Sequence, residues 1–256
     1  MSQKPITGQD LKSSENTLDE KIMRLKRLEN IKSSGINPYP EKFDKTHNLV
    51  DAKVAKEGTQ VKTAGRIMTR RTMGKIAFCH LQDWSGKCQI VFNINEIGEE
   101  KFKWFADNFD IGDFIGVTGE IFVTKAGETS ILVKEYEFLG KALLPLPDKF
   151  HGLKDTDTIY RQRYLDLIMN EESKKRFQFR SDFIRAIREF YWQENFSEVE
   201  TPTFLHQATG ATATPYKTHN NALDIDLVLR ISHELPLKEL IVGGMEKIFE
   251  IGRGIR

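Results

Sequence analysis

Cysteine is nearly absent from this 256-residue chain: Cys79 and Cys88 are the only two, too few for a disulfide framework. No histidine stands at zinc-ligand spacing from them, so the pair reads as buried, inert thiols. Long apolar runs are missing too. A helix crossing a bilayer needs about 18–20 apolar residues in succession, and no stretch approaches that. The opening MSQKPITGQDLKSSEN has no apolar h-region and does not read as a secretory signal, which leaves the cytoplasm as the default compartment. An excess of one charge is lacking as well: 38 Lys and Arg oppose 37 Asp and Glu. That balance excludes a generally basic nucleic-acid coat and leaves room for a local basic patch. With 39% hydrophobic and 29% charged residues, the composition fits a globular protein of one or two domains.

Residues 1–17 carry little apolar weight and are expected to be disordered. From Leu18 the residues Ile22, Leu25, Leu28 and Ile31 recur at helical spacing, and Gly35 and Pro38 stop that helix. Lys21, Arg24, Lys26, Arg27 and Lys32 give it a basic face, either solvated or in contact with an RNA backbone. Residues 61–142 change character. Strands are expected at 61–71, 75–82 and 87–92, a helix at 99–108, and two more strands at 114–124 and 129–139. Three strands, a helix and two strands is the order of an OB-fold, a small barrel that often binds oligonucleotides. Leu143-Leu144-Pro145-Leu146-Pro147 is a stiff connection, and 143–160 reads as a linker into a second domain over 161–256. There the spacing predicts a helix over 170–192 with Phe179, Phe183, Ile187 and Phe190 on one stripe, ended by Asn195 in a left-handed turn. A strand runs from Ser197 to a stop at Pro202. Residues 223–231 alternate as a strand, Ser232 caps a short helix, and a last strand starts near Lys247. The chain ends in that strand without a turn or cap, which suggests truncation.

A turn at 83–86 pairs Gln82 with Lys87 and His80 with Gln89, and it sends Ala77, Cys79, Leu81, Cys88, Ile90 and Phe92 inward. Phe78 is then an aromatic ring on a polar outer face. Such rings in OB-folds stack on unpaired bases, worth roughly 1–3 kcal/mol per base. Gln89 supplies an amide beside it, and Arg70, Arg71 and Lys75 supply positive charge suited to phosphates. The plainer reading covers Phe78 with the N-terminal segment and leaves the basic residues solvated. In the second domain, Gly210 lies in a run of small residues that lets a backbone approach a ligand. Glu234, in the first turn of a helix, either binds an ammonium group or only favours the helix dipole. Glu250, Gly252, Gly254 and Arg256 would share one strand face, with two glycines leaving it open beside a guanidinium that can hold a carboxylate or phosphate. Asp224 and Asp226 read as the polar face of their strand rather than as a metal pair.

The strings AGRIMTRRTMGKIAFCHLQDWSGKCQIVF, LPLPDKFHGLKDTDTIYRQRYLDLI, EVETPTF, TGATATPYKTHNNALDIDLVLRI and VGGMEKIFEIGRGIR resemble a class II lysyl-tRNA synthetase, in order and without a large gap. Aspartyl- and asparaginyl-tRNA synthetases share much of this and differ at the segment TGATATPYKTHNNALD. The resemblance implies an α+β protein: a five-stranded OB-fold barrel followed by the first part of an antiparallel-sheet catalytic domain. It implies that Phe78 stacks on an anticodon base, with Gln89, Arg71 and Glu128 contacting the loop. Gly210 and Glu234 would bind lysine, and Arg256 would contact both its carboxylate and the ATP α-phosphate. Helix 170–192 and the strand to Pro202 would form a homodimer interface. Partners would be L-lysine, ATP and tRNA(Lys), with Mg2+ held by residues beyond Arg256. Thr214 stands where a basic residue is usual, Asn220 where a second histidine is common, Asn195 where glycine is usual, and Pro236 where the residue is often aromatic.

The resulting expectation is a lysine–tRNA ligase whose chain as given is an inactive fragment. A non-catalytic tRNA anticodon-binding module is the alternative, and an aspartate- or asparagine-type relative is a further one.

Overall fold

A computed structural model of the chain describes residues 8–147, 153, 155–208, 210 and 212–255, with side chains from Leu18 onward. The chain divides into two compact units, 1–152 and 153–256. The first holds α1 (Gly8–Ser33), α2 (Leu49–Val54), β1 (Gln60–Met73), β2 (Ile76–Gln82), β3 (Lys87–Asn93), α3 (Ile94–Ile97), α4 (Glu99–Asn108), β4 (Phe114–Val123) and β5 (Thr129–Gly140). The strands close into a barrel in the order β1-β2-β3-β5-β4, with β3 and β5 parallel and β1 and β4 antiparallel. Closure leaves no open edge, and alternation along each strand sends one set of side chains inside. The six positions expected inward on β2 and β3 are all buried. Helix α4 packs on this core through Phe105, which stacks on Phe92 with ring centroids 4.0 Å apart. Burial pushes the Cys79 thiol up to about 12 and the Cys88 thiol up to about 11, so both stay protonated at neutral pH.

Strand β1 does not keep one alternation throughout. Ile67 pairs with Leu81, and the next pair is Thr69 with His80, which leaves Met68 as an extra residue. Ile67 and Met68 are both buried. Such a bulge reverses the facing of every residue beyond it. Arg70 therefore sits opposite the inward Cys79, while Arg71 sits opposite the outward Phe78. Arg70 donates to the carbonyls of Phe109 at 2.7 Å and Ala106 at 2.8 Å, where a cation complements the C-terminal end of α4. It is not available to phosphates, contrary to the expectation from sequence.

Helix α1 begins at Gly8 rather than Leu18, so part of the tail expected to be disordered is helical; residues 1–7 lie outside the described residues. Only Leu28 and Ile31 of its apolar stripe are buried. Its basic face is partly consumed by the barrel. Arg24 is buried and donates to the carbonyls of Ile111 and Ala142, both at 3.0 Å, and Arg27 pairs with Asp110.

The second unit holds α5 (Thr156–Arg161), α6 (Arg163–Met169), α7 (Glu171–Gln193), β6 (Ser197–Glu198), β7 (Phe204–Leu205), β8 (Lys217–Asn220), β9 (Ile225–Leu229), α8 (Glu234–Val242) and β10 (Ile248–Phe249). Helix α5 falls inside the stretch expected as a linker, of which residues 148–152 and 154 lie outside the described residues. Strands β7, β9 and β8 form one antiparallel sheet, and β6 pairs in parallel with β10. Asn195 takes φ 60°, filling the left-handed turn after α7 where glycine is usual. The strand expected over 223–231 is shorter because Asp224, at φ 53°, belongs to the hairpin turn. Asn220 closes that turn by accepting the backbone N–H of Ala222 and Leu223. On α7, Phe179, Phe183, Phe190 and Trp192 are each more than half exposed.

A second buried cation of the first unit, Lys141, ties the end of α4 to the turn before β4. Lys141 Nζ lies 2.7 Å from Asp113, 2.5 Å from Asp110 and 3.0 Å from the Asn108 carbonyl, which uses all three of its protons. The side chains of Lys141 and Asp113 are wholly buried. Burial lifts the Asp113 carboxyl above the usual carboxylate range, with Lys141 opposing. Removing the cation strands a buried anion, so Lys141→Met is expected to cost about 3–5 kcal/mol in urea unfolding of the chain near neutral pH. The deficit should shrink as the pH falls toward the raised Asp113 pKa, because a neutral acid needs no counter-ion. An equal deficit at neutral and mildly acidic pH would contradict this assignment.

Candidate functional sites

Two rows of side chains cross the outer face of the barrel. The first joins Arg71 on β1, Phe78 on β2 and Val91 on β3 through successive strand pairings. Phe78 is half-buried, Arg71 is exposed, and Lys75 is exposed in the adjoining turn. The second row joins Thr69, His80, Gln89 and Ser130, one residue from each of β1, β2, β3 and β5. The bulge at Met68 puts Thr69 and Arg71 on this face; without it they would point inward with Val61 and Ile67.

Glu128 closes the second row. It ends the β4–β5 turn, where Gly127 takes φ 80° and the Glu128 N–H is received by Thr124 Oγ1 at 3.1 Å. Its carboxylate meets Gln89 Nε2 at 2.8 Å through one oxygen and His80 Nε2 at 3.2 Å through the other. The Gln89 carbonyl oxygen accepts from Ser130 Oγ at 2.8 Å, which fixes the amide with its NH2 toward Glu128. Gln89 is 8% exposed with both ends bonded, so its spare donor is the second amide hydrogen. The Glu128 side chain is 41% exposed and keeps acceptor capacity toward solvent. An aromatic platform, a fixed donor–acceptor pair and two outlying cations therefore share one surface. That combination suits a stacked, unpaired base with its phosphates nearby.

In the second unit, Gly210 and Glu234 come together although 24 positions apart in sequence. A Cβ on Gly210 would stand 2.8 Å from Ser232 Oγ and 3.2 Å from Glu234 Cβ, and Gly210 takes φ 85°, so only glycine fits. Ser232 Oγ accepts the Glu234 N–H at 3.1 Å. The Glu234 carboxylate is exposed and holds an ammonium group already, Lys238 Nζ at 2.6 Å, which keeps it below the usual carboxylate range. The open glycine face expected around Glu250 is not there. Strand β10 stops at Phe249, and Glu250 is buried between Arg230 Nη1 at 2.6 Å and Thr201 Oγ1 at 2.6 Å. A Cβ on Gly252 would meet His233 Nε2 at 2.4 Å and Arg230 at 2.6 Å, so this glycine permits packing rather than ligand access. Pro202 is exposed, directly after the buried Thr201. Arg256 lies outside the described residues. His219 bridges Asp226 at 2.8 Å and Asp224 at 3.3 Å through its two ring nitrogens, which accounts for that acidic pair.

The sequence singles out Phe78, Arg71 and Gln89, the resemblance adds Glu128, and His80 is placed opposite Gln89 without a role; Thr69 and Ser130 are not singled out. The available signal was the adjacent apolar pair Ile67-Met68, which breaks the alternation of β1 and marks the bulge.

Comparison with known proteins agrees with this partition. Residues 61–139 match the OB-fold nucleic acid binding domain, and residues 155–256 match the family described as tRNA synthetases class II (D, K and N). The lysine–tRNA ligase of Lactococcus lactis subsp. cremoris (strain MG1363) is 48% identical over 248 residues, covering 93% of this chain and 50% of that protein. Those of Thermosipho africanus (strain TCF52B) and Clostridium novyi (strain NT) are each 45% identical, covering 91% and 100% of this chain and 48% and 52% of their own lengths. The chain thus spans about half the length of the curated relatives it matches. It carries an OB-fold nucleic-acid-binding domain followed by a class II tRNA synthetase domain of the D, K and N type.

Proposed function

We propose that this chain supplies the tRNA reader and the lysine-binding part of a lysine–tRNA ligase acting in the cytoplasm. The observation that carries the proposal is the meeting of Gly210, Ser232 and Glu234 in a chain whose similarity to lysine–tRNA ligases runs through both units. The reaction joins two steps. The lysine carboxylate attacks the α-phosphorus of ATP and expels pyrophosphate, and a terminal ribose hydroxyl of tRNA(Lys) then takes the lysyl group and releases AMP. Glu234 would receive the ε-ammonium of the substrate in the place that Lys238 now holds, and Gly210 would let the substrate lie close to the backbone. Arg256, assigned by resemblance, would neutralise charge on the carboxylate and α-phosphate. Magnesium would neutralise phosphate charge when bound. Among the described residues no three His, Cys, Asp or Glu side chains are grouped to hold a metal.

The exposed aromatic stripe of α7 favours a homodimer, for which Phe179 and Phe183 stack side by side at 6.1 Å in solvent, and the resemblance would add Pro202 to the interface. In the barrel, the Phe78 row would stack an anticodon base while Arg71 and Lys75 meet phosphates and Gln89 and Glu128 meet the base edge. The non-catalytic tRNA-binding module makes the same demand on the barrel and none on Glu234, so the two readings separate at that residue.

For the barrel, Phe78→Ala should weaken binding of an anticodon stem–loop about 10-fold in gel shift. Arg71→Ala should weaken binding and lower the salt slope by about 1, and Arg70→Ala should leave the slope unchanged. A salt slope that follows Arg70 instead of Arg71 would overturn the facing assigned to β1. For the amino-acid site, Glu234→Gln should raise the KM for lysine about 100-fold in ATP–pyrophosphate exchange by the chain joined to the remaining catalytic segment of a relative. An unchanged KM would remove Glu234 from the site.

A further inference from the structure

We infer that His80 is a positioning residue that, with Thr69, holds the Glu128 carboxylate in its base-reading orientation. This rests on the proposal that the Phe78 face binds RNA, and it assigns a role to two residues that do not themselves touch a base.

Thr69 Oγ1 accepts the backbone N–H of His80 at 3.2 Å and lies 2.9 Å from His80 Nδ1. A hydroxyl can donate or accept there, so the tautomer is set by Glu128, whose carboxylate only accepts and calls for a donor at Nε2; Nδ1 of the neutral ring then accepts from Thr69 Oγ1. The ring proton of the neutral imidazole then sits on Nε2, 3.2 Å from Glu128 Oε1. The other oxygen of Glu128 is held by Gln89 Nε2, and Gln89 in turn by Ser130. Each carboxylate oxygen thus has one fixed donor, from two different strands. A carboxylate on a turn with 41% of its side chain exposed would otherwise be free to rotate away from the face. The bulge at Met68 makes the lock possible, because it turns Thr69 outward directly opposite His80. The charged group in contact with His80 is Glu128; Lys87 and Arg71 stand two positions along their strands from its partners Gln89 and Thr69.

The test is a double-mutant cycle on the full chain, with an RNA hairpin carrying the lysine anticodon loop as the probe. Asparagine at position 80 mimics Nδ1 and lacks the Nε2 donor, whereas glutamine places an amide N–H near it. His80→Asn is expected to weaken hairpin binding about 10-fold, the loss of one charge-assisted hydrogen bond, while His80→Gln stays within about 3-fold of the unmodified chain. In a Glu128→Ala background, His80→Asn should cause no further loss. Equal losses in both backgrounds would mean that His80 contacts the RNA itself, which overturns the positioning role. No loss with His80→Asn while Phe78→Ala still weakens binding overturns it as well, with the RNA face intact. If Phe78→Ala also has no effect, the RNA face is the failed premise and the inference falls with it. Should His80→Asn not fold, Thr69→Val carries the test, with about 3-fold weaker binding expected in the Glu128 chain and none in the Glu128→Ala chain; no loss in the former overturns the proposal.

Discussion

The single extra residue in β1 decides which of its side chains reach the outside of the barrel, and the candidate RNA face depends on that choice. Strand alternation is binary, so a one-residue insertion exchanges the inner and outer sets beyond it. Met68 is that residue, and it is buried beside Ile67. Its consequences divide two adjacent arginines between unrelated tasks. Arg70 turns in to cap α4, and Arg71 turns out beside Phe78. The same turn brings Thr69 opposite His80 and starts the chain of hydrogen bonds that ends at Glu128.

The rest of the first unit is joined by a second set of buried polar contacts. Lys141 gathers Asp110, Asp113 and the end of α4 into one buried cluster, and Arg24 and Arg27 of α1 bond to the same turn. A cluster of this kind contributes more to fixing one arrangement than to net stability, since desolvation offsets most of its attraction. It accounts for Arg24 and Arg27 of α1, whose basic face the sequence left as either solvated or in contact with RNA. The second unit contrasts with this. Its helix α7 leaves large aromatic side chains in solvent, and Tyr191, stacked on Phe249 at 4.6 Å, is one of its few tight ring contacts. An apolar stripe of that extent is the kind of surface that a second copy covers.

Much of the barrel was legible in the sequence because alternation and turn residues are local signals. The 83–86 turn fixed the β2–β3 register, and helix α4 falls at the residues its spacing predicts. Helix α1 was shortened in the reading because its first residues lack an apolar stripe, a feature that does not forbid a helix. Separating Arg70 from Arg71 needed the bulge, whose only trace is two neighbouring apolar residues. The role of Glu250 was misjudged because its partners, Arg230 and Thr201, are distant in sequence. Spacing singled out Gly210 and Glu234 separately, the resemblance assigned both to lysine, and the fold sets them side by side. Family resemblance carried the chemistry further than spacing did, and the Thr69 and Ser130 ends of the polar row were visible from neither.

The most direct test of the account is an NMR titration of the chain with the anticodon hairpin, following side-chain resonances across the barrel. The account predicts upfield shifts of the Phe78 ring protons, as a base stacks on them. It also predicts changes at the Gln89 amide, the His80 ring and the Arg71 guanidinium, with Arg70 unmoved. Shifts that leave Phe78 and Gln89 silent, or a perturbed Arg70 beside a silent Phe78, would contradict it.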